Sequence, residues 1–198
     1  IMSMPIVTAA TKEDQRQLVE TLMVAFVADP FARFMAPDAP QYQAGRAMFG
    51  AMAAASIAAG GAWLGHNAEG FCGSASLWFP PGTSPSEEAM GAAMEESVVA
   101  ERLDTVGRVF AAMETYHPKE PHWYLAVIGA DALYQGQGLG AALLKHTLQI
   151  CDESGEVAYL ESSNPRNISI YQRHGFEVMG EIRIGDCPVN TPMLRQAR

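Results

Sequence analysis

Clustered positive charge is missing from this sequence, in which 13 lysines and arginines are outnumbered by 22 aspartates and glutamates. No run of basic residues is longer than two. Proteins bind nucleic acids mainly through lysine and arginine contacts to phosphates, so we expect no nucleic-acid partner, duplex or single-stranded. The net charge of -9 suits a cationic small molecule better.

Cysteine is also scarce. The three cysteines, Cys72, Cys151 and Cys187, lie far apart and form no CxxC motif, which favours neither a disulfide framework nor a zinc site. The five histidines show no HExxH or comparable ligand spacing, so we expect no metal. Reduced thiols are the simplest interpretation and indicate a cytoplasmic protein.

Strongly apolar runs are lacking too, although residues 47–65, AMFGAMAAASIAAGGAWLG, are uncharged and approach the length of a membrane span. Alanine and glycine are only weakly apolar, and Gly60-Gly61 would break a helix. We therefore expect a buried helix that runs into a strand, and no membrane partner. The first residues, IMSMP, lack the basic and apolar segments of a signal peptide.

Length and composition predict one domain over residues 1–198, because a chain of this size with 48% apolar residues can bury a core but is short for two domains. Periodicity and turn residues predict strands at residues 6–9, 62–65, 70–79, 123–130, 157–162, 176–182 and 192–196. They predict helices from Thr11 to Pro30, over 42–59, over 84–116 with a break near Gly107, from the glycines at 136–140 to Glu153, and after Asn164-Pro165.

The order of these elements predicts a mixed α/β sheet. An antiparallel hairpin lies in the N-terminal half, and strands alternate with helices in the C-terminal half, where parallel pairing is expected. Residues 123–130, WYLAVIGA, are nearly all apolar and predict a central strand that is buried on both faces.

Three glycines stand directly before an apolar helix in residues 134–144, YQGQGLGAALL. Glycines at a helix start let the backbone approach a ligand closely, and the first-turn N–H groups favour an anion. The candidates are a dinucleotide, a nucleoside triphosphate and a coenzyme A pyrophosphate. The triphosphate pattern GxxxxGK[ST] is not met, because Leu139 or Ala141 stands where lysine and a hydroxyl are needed.

The dinucleotide pattern GxGxxA does match residues 136–141, GQGLGA, and Glu161 lies about where a ribose-binding carboxylate would be expected. However, six residues separate Gly129, taken as the strand end, from Gly136. Only 37 residues follow Glu161 for all further strands. A complete dinucleotide fold therefore does not fit.

The pattern Q/R-x-x-G-x-G/A is met by residues 135–140, QGQGLG, and here the chain resembles the GNAT acetyltransferases. The segments HPKEPHWYLAVIGADALYQGQGLG and YLESSNPRNISIYQRHGFEV are similar to the puromycin N-acetyltransferase type in order, spacing and residue choice. This similarity covers about residues 116–179, with a weaker match over 25–37. It implies a GNAT acyl-CoA N-acyltransferase fold, with an antiparallel N-terminal half and parallel, splayed strands at the cofactor site.

The resemblance also implies the cofactor-binding residues. Coenzyme A pyrophosphate would be bound by main-chain N–H groups of Gln135, Gly136, Gln137, Gly138, Leu139 and Gly140. The strand end Ile128, Gly129 and Ala130 would pair with the pantetheine amides as an extra strand does. Asn167 would bond the pantetheine arm.

Two catalytic residues follow from the same resemblance. Tyr171, four residues after Asn167, would reach the thioester sulfur as general acid, since a phenol with a pKa of about 10 stays protonated at neutral pH. An attacking amine must lose a proton, and Glu161, or a water that it orders, is the candidate general base.

These residues predict an N-acetyltransferase that moves an acetyl group from acetyl-CoA to a primary amine of a small molecule by direct attack. The alternatives are a non-catalytic acyl-CoA binding or sensor module and, third, a nicotinamide-dinucleotide oxidoreductase. Candidates for the acceptor pocket are Phe31, Arg33, Trp78, Trp123 and Tyr124, although aromatic residues on strands more often belong to the core. The sequence leaves open the acceptor amine and whether the chain forms a homodimer.

Overall fold

The computed structural model describes residues 5–198. Its helices are α1 (Gln15–Ala25), α2 (Pro30–Met35), α3 (Ala39–Ala44), α4 (Arg46–Ala59), α5 (Glu87–Ser97), α6 (Leu103–Tyr116), α7 (Leu139–Ser154) and α8 (Ile168–Arg173). Its strands are β1 (Ile6–Ala9), β2 (Ala62–His66), β3 (Cys72–Phe79), β4 (His122–Ala130), β5 (Val157–Ser162), β6 (Glu177–Val178) and β7 (Thr191–Arg195). Short 3₁₀ turns lie at Lys12–Asp14, Ala100–Arg102, Ala132–Tyr134 and Pro165–Asn167. The expectation about a signal peptide concerns residues that lie mainly outside this range.

The strands form one seven-stranded sheet in the order β1-β2-β3-β4-β5-β7-β6. Strands β1 to β4 pair antiparallel in sequence order, and β4 and β5 pair parallel. The parallel pair is possible because α7 makes the crossover between its strands. The remaining pairs, β5 with β7 and β7 with β6, are antiparallel. The predicted mixed sheet is confirmed.

Strand β4 separates from β5 halfway along its length. It pairs with β5 only from His122 to Leu125, whereas its pairing with β3 continues to Ala130. A shift of register places Val127 opposite Leu77 and Leu125 opposite Trp78, so Ala126 is the extra residue of a β-bulge. Beyond the bulge, the edge of β4 that faces β5 is left without a strand partner in the described ladder.

The prediction that residues 123–130 are buried on both faces is wrong. Trp123, Leu125 and Val127 are buried, but the alternate residues Tyr124 and Ala126 are only partly buried. Tyr124 and Ala126 line a cavity at the separation of the strands, which explains why an apolar strand has one incompletely covered face.

Two predicted helices are each divided. Residues 42–59 belong to α3 and α4, which meet at Gly45. Residues 84–116 break at Val98–Val99 rather than at Gly107, which lies inside α6. The break is fixed by distant partners, because the Ser97 hydroxyl donates to the Ala44 carbonyl at 3.0 Å and the Val99 N–H donates to the Met35 carbonyl at 2.9 Å.

Two further expectations concern the C-terminal strands and the uncharged stretch. Of the strand predicted at 176–182, only Glu177–Val178 forms, while Ile182 makes an isolated bridge to Asn190. Residues 47–65 form most of α4 and then β2, as predicted. Among residues 5–198, no helix combines the length and the hydropathy needed to cross a membrane.

Candidate active site

A cavity of about 1000 Å³ lies where β4 and β5 separate. Its walls include the second half of β4, the glycine turn before α7, α8 with the turn before it, and side chains from α2, α4, α5 and α6. The cavity thus extends from the glycine turn, where the two strands separate, to side chains of α2, α4, α5 and α6. All site residues predicted from the sequence can be placed relative to this cavity.

The glycine turn has the backbone that an anion site at a helix start requires. Gly136 and Gly138 have φ angles of 79° and 82°, a region that residues with a side chain rarely adopt. Gly138 is the N-cap of the 16-residue helix α7 and offers no side chain to bond the free first-turn N–H groups. A Cβ on Gly140 would meet nothing within 4 Å, so space remains beside the turn. These amides are available to an anion.

The other residues of the turn differ in their positions. The Gln135 side chain donates to the Ala130 carbonyl at 3.3 Å and lines the cavity. Leu139 is 1% exposed and packs in the core, so it offers only its main chain to a ligand. Gln137 is not among the residues that line the cavity. The structure therefore brings five of the six predicted turn residues to the site.

The predicted strand end also lies on the cavity wall, with Ile128, Gly129 and Ala130 all facing it. A Cβ on Gly129 would lie 2.6 Å from the Ala25 Cβ and 2.9 Å from Cε2 of Phe26, so glycine is needed for α1 to pack against the strand here. Main-chain groups on the β5 side of this segment have no ladder partner in residues 5–198. They can pair with an extended ligand.

Tyr171 and Asn167 both line the cavity. Tyr171 lies in α8 and is 8% exposed, and burial, followed by the charge of Asp29, raises the pKa of its phenol. The phenol therefore carries its proton at neutral pH. Asn167 does not lie inside α8 with Tyr171, as the sequence suggested. It is the last residue of the 3₁₀ turn Pro165–Asn167, directly before α8, and its side chain makes no capping hydrogen bond. Asn164 caps this turn, as predicted, by accepting from the Arg166 N–H at 3.1 Å.

Glu161 is a buried carboxylate on β5 that lines the cavity. Its side chain is 3% exposed, and its Oε1 lies 3.4 Å from Nε2 of His117. Oε1 accepts no hydrogen bond from the described part of the chain. A buried oxygen without a donor is costly, so this atom is suited to a ligand that brings a proton.

Asp29 is a second carboxylate on the cavity wall, which sequence reasoning missed. Its Oδ1 accepts from the Phe31 and Ala32 N–H groups at 3.0 Å, which caps α2. The dipeptide Asp29-Pro30 was interpreted as the end of the preceding helix, whereas it begins the next one. This N-cap signal was visible in the sequence, but the position of Asp29 in the site was not.

A large part of the cavity wall is apolar. It consists of methionine and phenylalanine side chains from the C-terminal end of α1 and from α2, α4, α5 and α6, namely Phe26, Phe31, Met35, Met48, Phe49, Met52, Met90, Phe110 and Met113. Of the five acceptor-pocket candidates, Phe31 and Tyr124 line the cavity, whereas Arg33, Trp78 and Trp123 do not.

Among the residues that the structure describes, the lining of the cavity includes no cysteine. Burial raises the pKa of Cys151 to about 12 and that of Cys187 to about 11, so both are thiols at neutral pH. Within residues 5–198, no group of three or more His, Cys, Asp or Glu side chains is placed to hold a metal ion. The titratable side chains that line the cavity are the carboxylates of Asp29 and Glu161, four phenols including that of Tyr171, the His174 imidazole, and the guanidinium groups of Arg166 and Arg173.

Comparison with known proteins identifies the family. The model of the acetyltransferase (GNAT) family matches residues 61–176, which is more than half of the chain. The chain belongs to the GNAT acetyltransferase family. The matched segment runs from before β2 to beyond α8 and includes the glycine turn and Tyr171. The family resemblance stated from the sequence is confirmed, and the similarity to the puromycin type stays a prediction.

Solved structures share the fold of this GNAT chain over nearly its whole length. A Corynebacterium glutamicum structure described as histone acetyltransferase HPA2 and related acetyltransferase is 26% identical, with a TM-score of 0.76 and coverage of 99% of this chain and 98% of that one. Arylalkylamine N-acetyltransferase 2 from Aedes aegypti is 11% identical, with a TM-score of 0.70 and coverage of 98% and 99%. The second likeness shows the fold alone.

Curated relatives of this GNAT chain match over shorter segments. An uncharacterised N-acetyltransferase of Schizosaccharomyces pombe is 41% identical over 54 residues, which is 27% of this chain and 22% of that protein. The N-alpha-acetyltransferase 50 of Danio rerio is 33% identical over 60 residues, which is 28% of this chain and 36% of that protein. The chain therefore spans about a fifth to a third of the length of these relatives.

Proposed function

We propose that this chain is one acetyl-CoA-dependent N-acetyltransferase domain that acetylates the primary amine of a small molecule by direct attack. The observation that carries the proposal is a single cavity that joins the glycine turn, the Tyr171 phenol and the buried carboxylate of Glu161. This arrangement offers an anion site, a proton donor and a proton acceptor in one connected space.

The residues present fit acetyl-CoA, which supplies the activated acetyl thioester. Main-chain amides between Gln135 and Gly140 would hold the diphosphate, with α7 contributing its positive end. The unpaired edge of β4 at residues 126–130 would hydrogen-bond the pantetheine amides as a neighbouring strand does. Asn167, on the opposite wall, would bond the same arm.

Tyr171 would act as the general acid. Its phenol keeps its proton at neutral pH because burial disfavours the phenolate, and the negative charge of Asp29 adds to this effect. It can therefore protonate the departing coenzyme A sulfur and recover a proton afterwards. A main-chain N–H near the end of β4 would stabilise the oxyanion that forms during attack.

Glu161 would act as the general base. An amine reaches the site mostly as an ammonium ion, and Oε1 of Glu161 is a buried acceptor without a donor of its own. It would first bind the ammonium group and then remove its proton. Direct attack by the amine is favoured over a covalent enzyme intermediate, because no thiol lines the cavity.

The acceptor is proposed to combine a cationic amine with an apolar body. Asp29 and Glu161 supply negative charge on the cavity wall, while methionine and phenylalanine side chains form much of the rest of it. Methionine adapts to ligands of different shape, which suits an acceptor pocket. Proteins that share the fold are named as acetyltransferases of arylalkylamines, of agmatine and of polyamines, which supports testing amines of these classes.

A thiol-release assay tests the proposed function. Acetyl-CoA is mixed with the protein and a panel of an arylalkylamine, a polyamine, agmatine, an amino acid, a peptide amine and an aminonucleoside, the last chosen for the similarity to the puromycin type. We expect thiol release with at least one amine and an acetylated product in its mass spectrum. Binding of acetyl-CoA without thiol release for any amine would instead support the sensor module. Stabilisation by NAD(P)H but not by acetyl-CoA would support the oxidoreductase.

A further inference from the structure

A chain of ring nitrogens leads from Glu161 away from the cavity. Nε2 of His117 lies 3.4 Å from Oε1 of Glu161, and Nδ1 of His117 lies 3.1 Å from Nε2 of His122. Nδ1 of His122 lies 2.9 Å from the carbonyl oxygen of Glu120. His117 follows α6, His122 begins β4, and Glu161 lies near the end of β5. Three elements thus contribute to one continuous contact path.

Burial decreases along this path. The Glu161 side chain is 3% exposed and that of His117 is 18% exposed. His122 is partly exposed, and Glu120, whose carbonyl ends the path, is exposed. The path therefore leads from a buried acceptor on the cavity wall to an exposed residue.

The acceptor at the outer end restricts where protons reside. A carbonyl oxygen can only accept, so Nδ1 of His122 must carry a hydrogen when this bond is made. The remaining contacts then leave three positions for one extra proton. The first is on Glu161, and the second is on Nε2 of His117 with Glu161 ionised. The third is on Nε2 of His122, with His117 neutral and its hydrogen on Nε2 rather than on Nδ1. Each position keeps the same three contacts. The 3.4 Å contact between Oε1 of Glu161 and Nε2 of His117 is not a hydrogen bond in this structure, so it must shorten before a proton can cross it.

Other titratable groups beside the path cannot substitute for the imidazoles. The rings of Tyr124 and Tyr159 lie 4.6 Å and 4.5 Å from that of His117. Burial, and then the charge of Glu161, raises the pKa of both phenols, so they keep their protons at neutral pH. Glu114 and Tyr116 from α6 also act on Tyr159 through their charges. Among these contacting aromatic and imidazole rings, the two imidazoles are the ones that can accept a proton and pass it on.

We propose that His117 and His122 relay the proton released by the acceptor amine from Glu161 to solvent beside Glu120. This proposal rests on the proposed acetyl transfer and extends it with two residues that act through Glu161. They would be relay residues that touch neither the amine nor coenzyme A.

The protons balance along this route. The ammonium group gives one proton to Glu161 and becomes a neutral amine, whose nitrogen forms the amide bond while the carbon–sulfur bond breaks. The second amine proton replaces the one that Tyr171 gives to the sulfur. Glu161 passes its proton to Nε2 of His117, the Nδ1 proton of His117 passes to Nε2 of His122, and Nδ1 of His122 releases a proton to water. Exchange of ring protons with water then returns the hydrogen of each imidazole to Nδ1 before the next turnover. One proton leaves per amide formed.

The effect of added buffer on kcat distinguishes a proton relay from a purely structural role of the histidines. A small buffer molecule can replace a lost relay residue, but it cannot replace a lost structural contact. We compare His117→Gln and His122→Gln with His66→Gln, a histidine on β2 that contacts Thr8 and does not line the cavity. In dilute buffer we expect kcat to fall at least tenfold in the two relay variants, with the KM for acetyl-CoA unchanged. Added imidazole should restore kcat of His122→Gln in a saturable way and leave wild type and His66→Gln unaffected.

The same measurements can overturn the proposal. A kcat equal to that of wild type at every buffer concentration, or a loss that imidazole does not restore in His122→Gln, would show that the histidines carry no proton. The kcat profile against pH gives a second criterion, because a relay variant should lose the dependence on imidazole ionisation that wild type shows. An unchanged profile would contradict the relay.

Histidine ¹⁵N resonances test the contact path independently of turnover. If no amine in the panel is acetylated, the proposed function fails, but these resonances still show whether the path is connected. We expect Nδ1 to be the protonated nitrogen of the neutral His122 ring in the resting protein, and we expect Glu161→Gln to shift the ring resonances of both His117 and His122 but not those of His66. An unprotonated Nδ1 on His122, or rings that do not respond to Glu161→Gln, would show that the path is not connected.

Discussion

Oδ2 of Asp29 accepts a 2.7 Å hydrogen bond from the Ser163 hydroxyl, which joins the start of α2 to the end of β5 across 134 residues of sequence. The other oxygen, Oδ1, caps α2 through the Phe31 and Ala32 N–H groups. One carboxylate therefore holds a helix of the acceptor pocket against the strand that carries Glu161, and it also places negative charge on the cavity wall.

Substitution of Asp29 should separate these two roles. Asp29→Asn keeps an oxygen for the cap but removes the charge, so we expect the KM for a cationic amine to rise about tenfold, since a hydrogen bond to a charged group contributes about 1.5 kcal/mol. The KM for acetyl-CoA should not change. Asp29→Ala also removes the cap and should lower the free energy of unfolding by about 2 kcal/mol. Steady-state kinetics and urea unfolding measure both effects, and an unchanged amine KM in Asp29→Asn would contradict the role of the charge.

Alanine substitutions in the glycine turn should affect folding and cofactor binding differently. Gly140 lies in the first turn of α7 with open space around its Cβ position, so Gly140→Ala should leave the free energy of unfolding unchanged or slightly raise it. If the diphosphate lies against this turn, the new methyl group must meet it. We expect the Kd for coenzyme A, measured by calorimetry, to increase at least tenfold.

Gly138→Ala provides the contrast. The φ angle of 82° at Gly138 makes alanine unfavourable by about 1 kcal/mol, so this variant should lose both stability and cofactor affinity. Gly155→Ala is the control for strain alone, because Gly155 has a φ of 72° at the other end of α7 and does not line the cavity. It should lose stability without losing affinity. Normal coenzyme A binding by Gly140→Ala would place the diphosphate elsewhere.

The ion pair of Arg195 with Asp152 should contribute to stability in a pH-dependent way. Arg195 is 5% exposed and donates from Nη1 and Nη2 to the two carboxylate oxygens at 2.8 Å. Hydrogen bonding to Arg195 lowers the pKa of Asp152 despite partial desolvation. Because the folded-state pKa lies below the unfolded value of about 3.9, the contribution is present above that pH and is lost as the pH falls through the lowered pKa.

Urea unfolding of Asp152→Asn tests this pair. At pH 7 we expect a loss of about 2 kcal/mol, less than for a fully buried pair because 28% of the Asp152 side chain is exposed. The difference from wild type should narrow below about pH 4. Glu20→Gln is the matched control, since Glu20 forms an exposed pair with Arg16 and should change stability by about 0.5 kcal/mol or less. A difference for Asp152→Asn that persists at low pH would contradict the assignment.

Local signals were sufficient for the elements that form the cofactor side of the site. The positive φ angles of Gly136 and Gly138 and the cap at Asn164-Pro165 depend on residues within one turn, so their sequence patterns are specific. The parallel pairing of β4 with β5 followed from the helix between them. These features predicted the mixed sheet, whereas the position of Tyr171 at the cofactor site was implied by the resemblance to the GNAT family.

Features set by distant contacts could not be predicted. The break at Val98–Val99 depends on partners near Ala44 and Met35, and nothing local distinguishes it from the break expected at Gly107. Glu161 could be named as a candidate base, but its contact with His117 exists only because β4 and β5 separate beside the end of α6. Asp29 could be recognised as a cap from the proline that follows it, but its position in the site depends on its distant partner Ser163.

The kinetics of Tyr171→Phe test the central claim most directly, because this change removes one oxygen from a buried ring and preserves its packing against Phe176. With the amine found in the panel, we expect kcat to fall by about 100-fold or more, as for loss of a general acid, while the Kd for coenzyme A stays within about twofold. A variant that binds coenzyme A normally and turns over at the wild-type rate would contradict the assignment of Tyr171 as proton donor.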